Sequence, residues 1–194
     1  MNAISTISNL SVDINNPQPS SIDIYDIAWH LSRINRFLGA TTDKHGLNVA
    51  QHSFWVADYL YHQTQSAQLA MHGLLHDSAE AYLGDVPTPL KALDALQGPY
   101  KALEKRLLTA IYKSLKLNRP GPVACEVVKD ADQLALAIEA RKYTMHQGAT
   151  WPTAKLEIDH LVDSYFTSSA EQSRRNFISA YHFLNSKIQA PTGA

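Results

Sequence analysis

The stretch Gly73-Leu74-Leu75-His76-Asp77-Ser78-Ala79-Glu80 decides how this chain reads. It sets a His-Asp doublet and a following glutamate inside an otherwise apolar, helix-forming run. Adjacent residues on a helix point about 100° apart, so the doublet is not a helix-surface ion pair. The two side chains are instead able to converge on one metal from neighbouring directions. Glu80 follows His76 by four residues and Asp77 by three, so on a continuous helix it shares nearly the same face. Three polar, metal-competent groups on one face are costly to bury without a purpose.

Working outward, the flanking sequence is helical. From Tyr25 to Phe37 the apolar positions Ile27, Leu31, Ile34 and then Leu38 recur at spacings of three and four, which predicts a helix. Gly39 to Gly46 reads as a polar loop. A second helix runs from near Asn48, a suitable cap, to about Gln65. A third spans Ala67 to Leu83 and carries the opening motif. Gly84-Asp85-Val86-Pro87-Thr88-Pro89 is a loop, because two prolines and a glycine stop the helix. Gly98-Pro99 opens a further helix through Leu117. A long helix follows from Val123 to about His146, and a last one from about Leu156 to Ile188, broken near Ser168-Ser169. No stretch alternates with period two for long enough to predict a sheet. The expected fold is all-α: one compact helical domain over residues 21–190, preceded by a polar arm, Met1 to Ser20, that orders only if it docks.

Composition narrows the function classes. The chain has 194 residues, 45% of them hydrophobic, enough for a sizeable core. Seventeen basic and 18 acidic residues give a net charge of -1, so nothing favours wrapping duplex nucleic acid or coating a membrane. Any phosphate contact is therefore local. The one cysteine, Cys125, rules out an intrachain disulfide and fits a reducing, cytoplasmic compartment. The N-terminal segment lacks the basic and apolar regions of a signal peptide, and no apolar run approaches the roughly 18 residues of a membrane span.

Four residues on three predicted helices form a chemically coherent set: His52, the His76-Asp77 doublet, and Asp132. Two imidazoles and two carboxylates suit a divalent transition metal such as Mn, Co, Fe, Ni or Zn, and Mg less well. Four protein ligands leave room for water and substrate, and a metal-bound water becomes a nucleophile near neutral pH.

The order of these residues resembles that of the HD-domain phosphohydrolases. His52 in Val49-Ala50-Gln51-His52-Ser53, together with the run from His76 through Glu80 and Gly84-Asp85-Val86-Pro87-Thr88-Pro89 to Lys91, is similar to the 5'-deoxynucleotidase branch. That branch includes phage dATP triphosphohydrolase-like enzymes. The likeness spans about Ala28 to Ala140, and the extended motif is far more specific than His-Asp alone. It implies an HD-domain helical bundle with His52, His76, Asp77 and Asp132 as metal ligands, and allows Mg at a second, substrate-linked position. It further implies that Glu80 and Asp85 lie beside the attacking water, sugar or scissile phosphate, and that Arg36 grips phosphate, with Lys91 a further phosphate candidate. The implied reaction is hydrolysis of a deoxynucleotide at the α-phosphate, giving a deoxynucleoside plus phosphate or triphosphate. A hydrolase of cyclic or hyperphosphorylated nucleotides, or a non-catalytic helical regulatory module, are the alternatives.

Plainer readings hold elsewhere. His72 lies four residues before His76 but outside the family pattern, so packing explains it. Asp130 is two residues from Asp132 and is expected to face solvent. Glu139 and Arg141 are expected at a helix surface or interface. Trp29 is a candidate for stacking on a base, although a helix tryptophan is more often core. His45 and Lys44, in the loop before His52, are lesser substrate-side candidates, and Cys125 reads as structural. The family commonly forms homo-oligomers, and Phe177, Ile178, Tyr181 and Leu184 would serve either an interface or the monomer core.

Overall fold

The computed structural model describes residues 3–163, 165 and 167–190. It opens with a hairpin of β1 (Ala3–Ser5) and β2 (Ser11–Asp13), paired antiparallel with Ile4 opposite Val12. The helices follow in order: α1 (Ile24–Leu31), α2 (Val49–Thr64), α3 (Ala67–Leu75), α4 (Glu80–Leu83), α5 (Thr88–Lys91), α6 (Asp94–Ser114), α7 (Pro122–Tyr143), α8 (Asp159–Val162) and α9 (Ala170–Gln189). Helices α2 and α3 pack against each other and against both α7 and α9, and this group carries most of the core.

Helix starts follow local chemistry. Asp23, Asn48, Ser66 and Ser169 each accept a hydrogen bond from an otherwise unpaired N–H of the first turn of α1, α2, α3 and α9. Asn48 also donates from its amide to Ser173 Oγ at 3.0 Å, which ties the start of α2 to α9.

Several sequence expectations are corrected. The N-terminal arm docks on the body, which is the condition set for its ordering, but it does so as an unexpected hairpin: Val12 is fully buried, and the Ser8 N–H donates to Asp26 Oδ1 on α1 at 3.1 Å. Met1 and Asn2 lie outside the described residues. Three-residue strands are too short to show a period-two pattern. The first helix ends at Leu31, and the chain then pairs backwards. Arg36 N–H donates to the Leu47 carbonyl at 2.7 Å and Val49 N–H to Ile34 at 3.0 Å. That bridge sets Arg36 beside the start of α2. Phe37 and Leu38 follow with φ of 53° and 54°, a left-handed conformation that bulky residues rarely adopt. Helix α6 begins at Asp94, so Pro99 lies inside it instead of opening it. The last predicted helix divides as expected near Ser169, but only the short α8 precedes the break. Phe177, Tyr181 and Leu184 are buried in the monomer core, which removes them as an argument for an oligomer.

The third predicted helix does not run to Leu83. It stops at Leu75, and His76 to Ala79 form a tighter turn. The Ser78 hydroxyl donates to the Leu75 carbonyl at 2.6 Å, and the Ser78 N–H reaches the same oxygen at 3.1 Å. A serine that takes the carbonyl of an earlier residue competes with the α-helical bond, and the turn tightens to an i to i-3 pattern.

Close approach of α2 and α3 fixes where this turn sits. A Cβ on Gly73 would lie 2.7 Å from Leu60 Cδ1, 3.2 Å from Val56 Cγ1 and 3.4 Å from the Ala57 backbone. Glycine is therefore favoured by contact and not by its φ, since any side chain here makes Leu60 and Val56 shift. Overpacking of such a seam costs about 1–3 kcal/mol, so Gly73→Val is expected to lower stability by that amount in urea unfolding. An unchanged midpoint would contradict the close approach.

Candidate metal centre

His52 enters from the first turns of α2 and is fully buried. Its Nδ1 lies 2.7 Å from Glu139 Oε1. An ionised carboxylate only accepts, so Nδ1 carries the proton and Nε2 offers its lone pair inward. His76 is oriented the same way, with Nδ1 donating to the Gly73 carbonyl at 2.7 Å. The two Nε2 atoms stand 3.3 Å apart. Asp132 Oδ1, from α7, lies 3.1 Å from His52 Nε2 and 3.8 Å from His76 Nε2. The ligand-type atoms of His52, His76 and Asp132 all fall within 4.8 Å of one another. Asp77 Oδ2 flanks them, 3.1 Å from His76 Nε2 and 3.6 Å from His52 Nε2. Three of the four residues singled out in the sequence thus form one cluster, and Asp77 stands at its edge. The side chains of Asp77 and Asp132 are 22% and 30% exposed while His52 is closed off, so the cluster opens on its carboxylate side.

The electrostatics suit a cation. Burial alone would depress His76, but Asp77 and Asp132 outweigh it and hold the imidazole well above its usual range. Burial and the Arg36 charge depress His52; Glu139 and Asp132 reverse this and raise it. Burial opposes ionisation of Asp77, yet His76 and His52 bring it down to about 2. Asp132 is likewise held far below the usual carboxylate range by both histidines, against its burial. Protons on the histidines occupy the space that a metal ion would take, so binding an ion displaces them.

Around this centre lie the other predicted site residues. Arg36 is almost fully buried; its Nε donates to Glu139 Oε2 at 2.8 Å, and its Nη1 stands 3.8 Å from Asp77 Oδ2. Lys91 does not project freely. Its Nζ binds Glu80 Oε1 at 3.0 Å and lies 3.5 Å from Glu104 Oε1. Asp85, half-buried in the loop after α4, is raised by burial against the pull of Arg36, and it lies within electrostatic reach of Asp77, Lys91 and His52. Trp29 sits apart. Its ring centroid lies 3.7 Å from the Arg33 guanidinium and 4.8 Å from that of Arg174, and the residue lines a cleft of about 570 Å³ shared with Tyr25, Asp26 and Ile178. His72 is buried against Tyr112, with Nδ1 3.1 Å from its hydroxyl, as the packing reading expected. Cys125 is exposed and not part of the core.

Glu139 is the residue that sequence reasoning misplaced. Instead of a helix surface it occupies the interior, fully buried, and meets His52, Arg36 and the Tyr165 hydroxyl. The signal was present in the spacing. Glu139 follows Asp132 by seven residues, two helical turns, and so returns to the same face of α7. Arg141, by contrast, is partly exposed and pairs with Asp159 at 2.5 Å.

No protein-family model matches the chain. It is 35% identical over 152 residues to the uncharacterized protein YfdR of Escherichia coli, covering 78% of each chain. It is 32% identical over 140 residues to an uncharacterized protein of Rhodobacter capsulatus, covering 70% of each. Among solved structures it matches the cyanophage S-2L HD phosphohydrolase DatZ, bound to dA and one catalytic Zn2+ ion, with a TM-score of 0.53 and 17% identity. The match covers 82% of this chain and 95% of that one. The fold is therefore that of an HD-like helical domain. No helix among the described residues is long and apolar enough to cross a membrane.

Glu80 offers a direct check on the site's electrostatics. Burial, with the charge of Asp77, pushes its carboxyl up to about 8 against the opposing pull of Lys91. The folded chain therefore binds a proton that the unfolded chain releases near the ordinary 4.5. This contribution to stability is fully present below that value and is lost as pH rises through 8. Carboxyl-detected NMR of the metal-free chain should place the Glu80 midpoint near 8, and Lys91→Met should move it higher. A midpoint in the ordinary glutamate range would contradict this arrangement.

Proposed function

The chain belongs to the family of YfdR, and from that premise we propose that it is a metal-dependent nucleotide phosphohydrolase that cleaves deoxynucleotides at the α-phosphate. The observation that supports this reading is the cluster of His52, His76 and Asp132, with Asp77 flanking both histidines and Arg36 beside Asp77. Two imidazole nitrogens and two carboxylate oxygens fit Zn, Co, Mn, Fe or Ni better than Mg, for which a second position shared with substrate phosphate would be the better place. The dA and the catalytic Zn2+ of DatZ support the same direction, since dA is the deoxynucleoside such a cleavage would release.

The chain's own groups divide the work. His52, His76, Asp77 and Asp132 would hold the ion, which when bound supplies an activated water and charge stabilisation for the phosphate. Arg36, fixed at Nε by Glu139, keeps its terminal nitrogens toward the opening, where a guanidinium fork binds phosphate oxygens. Glu80, with a carboxyl raised to about 8, holds its proton near neutral pH, so it is suited to orient the attacking water and to give that proton to the departing 5'-oxygen. Asp85 is placed to share that role or to contact the sugar. As water adds to phosphorus, the bond to the 5'-oxygen breaks and that oxygen takes up a proton. Lys91 serves chiefly to hold Glu80, its contact with phosphate being secondary. Positioning and charge do most of the work in such a transfer.

The product decides between the two forms of the reaction. Metal-stripped protein reloaded with Co2+, Mn2+ or Zn2+ is expected to release deoxynucleoside from a panel of dNMPs and dNTPs. Chromatography then separates orthophosphate from triphosphate. Asp77→Ala is expected to abolish metal binding and turnover together. No release from any nucleotide, or full activity in Asp77→Ala, would overturn the assignment.

A further inference from the structure

The mechanism above uses Arg36 and His52 as separate parts, yet one buried carboxylate holds both. Glu139 Oε1 accepts from His52 Nδ1 at 2.7 Å and its Oε2 accepts from Arg36 Nε at 2.8 Å. Tyr165, also fully buried, donates its hydroxyl to Oε1. The Tyr165 ring is itself clamped, stacked on Trp55 with centroids 5.4 Å apart and edge-on to Tyr143 at 6.2 Å. Each of the three partners gives Glu139 a proton donor, and a carboxylate offers only acceptors, so the match is complete.

Resting on the metal-dependent reading above, we propose that Glu139 is a positioning residue that couples the metal ligand to the phosphate-binding arginine. Its Oε1 obliges His52 to carry its proton on Nδ1, which leaves Nε2 free to ligate. Its Oε2 obliges Arg36 to turn Nε inward, which leaves the terminal nitrogens toward the opening. One rotamer of one side chain therefore sets both orientations, and Tyr165 holds that rotamer. Carboxylates behind metal-ligating histidines commonly set the tautomer and raise ligand basicity. Here the same carboxylate also fixes a second functional group. A purely structural role, a buried ion pair that steadies α7, would need only Arg36. It would not require His52 Nδ1 on the other oxygen.

Glu139→Gln separates the two readings. An amide keeps one acceptor oxygen and replaces the other with a donor NH2, so it cannot satisfy both His52 Nδ1–H and Arg36 Nε–H. If the oxygen stays with Arg36, the NH2 faces His52 and favours the tautomer with the proton on Nε2, which cannot ligate. Titration of the full-length chain with Co2+, followed by visible absorption, is expected to show affinity lowered about 10–100-fold in Glu139→Gln. The same variant is expected to raise KM for a nucleotide as Arg36 loosens. Glu139→Gln that is folded and binds Co2+ as tightly as the parent would overturn the proposal, whatever its stability. Nitrogen-detected NMR of the unmutated, Zn2+-loaded chain supplies the arm that needs no variant. The His52 proton is expected on Nδ1, and a proton on Nε2 would overturn the proposal. Both arms read metal binding and tautomer, so a chain that binds Co2+ but cleaves no nucleotide defeats the hydrolase assignment alone.

Discussion

The buried carboxylate of Glu139 is the interaction on which the rest of the centre depends. It lies in the interior among Arg36, His52 and Tyr165, none of which has more than slight contact with solvent. Charges in such a place are tolerated only when each is paired and its remaining hydrogen-bonding capacity is used. Glu139 meets that condition by accepting from all three at once. Its place is secured from three directions. Helix α7 presents Glu139 two turns beyond Asp132. The backbone bridge between Ile34–Arg36 and Leu47–Val49 brings Arg36 to the start of α2, and that same start carries His52.

The opposite wall is built by a local conflict. The α3 helix would continue past Leu75, but the Ser78 hydroxyl takes the Leu75 carbonyl and the chain tightens. His76 and Asp77 therefore sit in a turn, and their polar ends still meet, Nε2 to Oδ2 at 3.1 Å. Gly73 serves this wall twice. It lets α3 lie close on α2, and its carbonyl fixes the His76 ring.

Much of this was legible in the sequence, and the reasons for the misses are physical. The His76-Asp77 doublet stands out because it lies in an apolar run where a polar group needs a purpose, whereas His52 and Asp132 join it through the resemblance to the HD-domain pattern. The cap at Asn48 is readable because it rests on one local hydrogen bond. The continuous third helix was misread because propensity carries no record of a serine competing for a carbonyl. The hairpin was missed because strands of three residues show no period. Glu139 was assigned to the surface because glutamate on a helix usually is exposed, and only its partners, 103 and 87 residues away in Arg36 and His52, make the interior tolerable. Long-range pairing of that kind is not carried by local pattern. Lys91, a further phosphate candidate in the sequence, finds two carboxylate partners in the fold that no local pattern announces.

His52, His76, Asp77 and Asp132 are proposed to hold one divalent ion. X-ray absorption at the zinc edge of the reloaded chain tests it most directly. The account predicts one Zn2+ per chain, bound by nitrogen and oxygen at about 2.0–2.2 Å, with scattering from two imidazole rings and no sulfur. Absence of stoichiometric zinc, a sulfur ligand, or fewer than two imidazoles would contradict it.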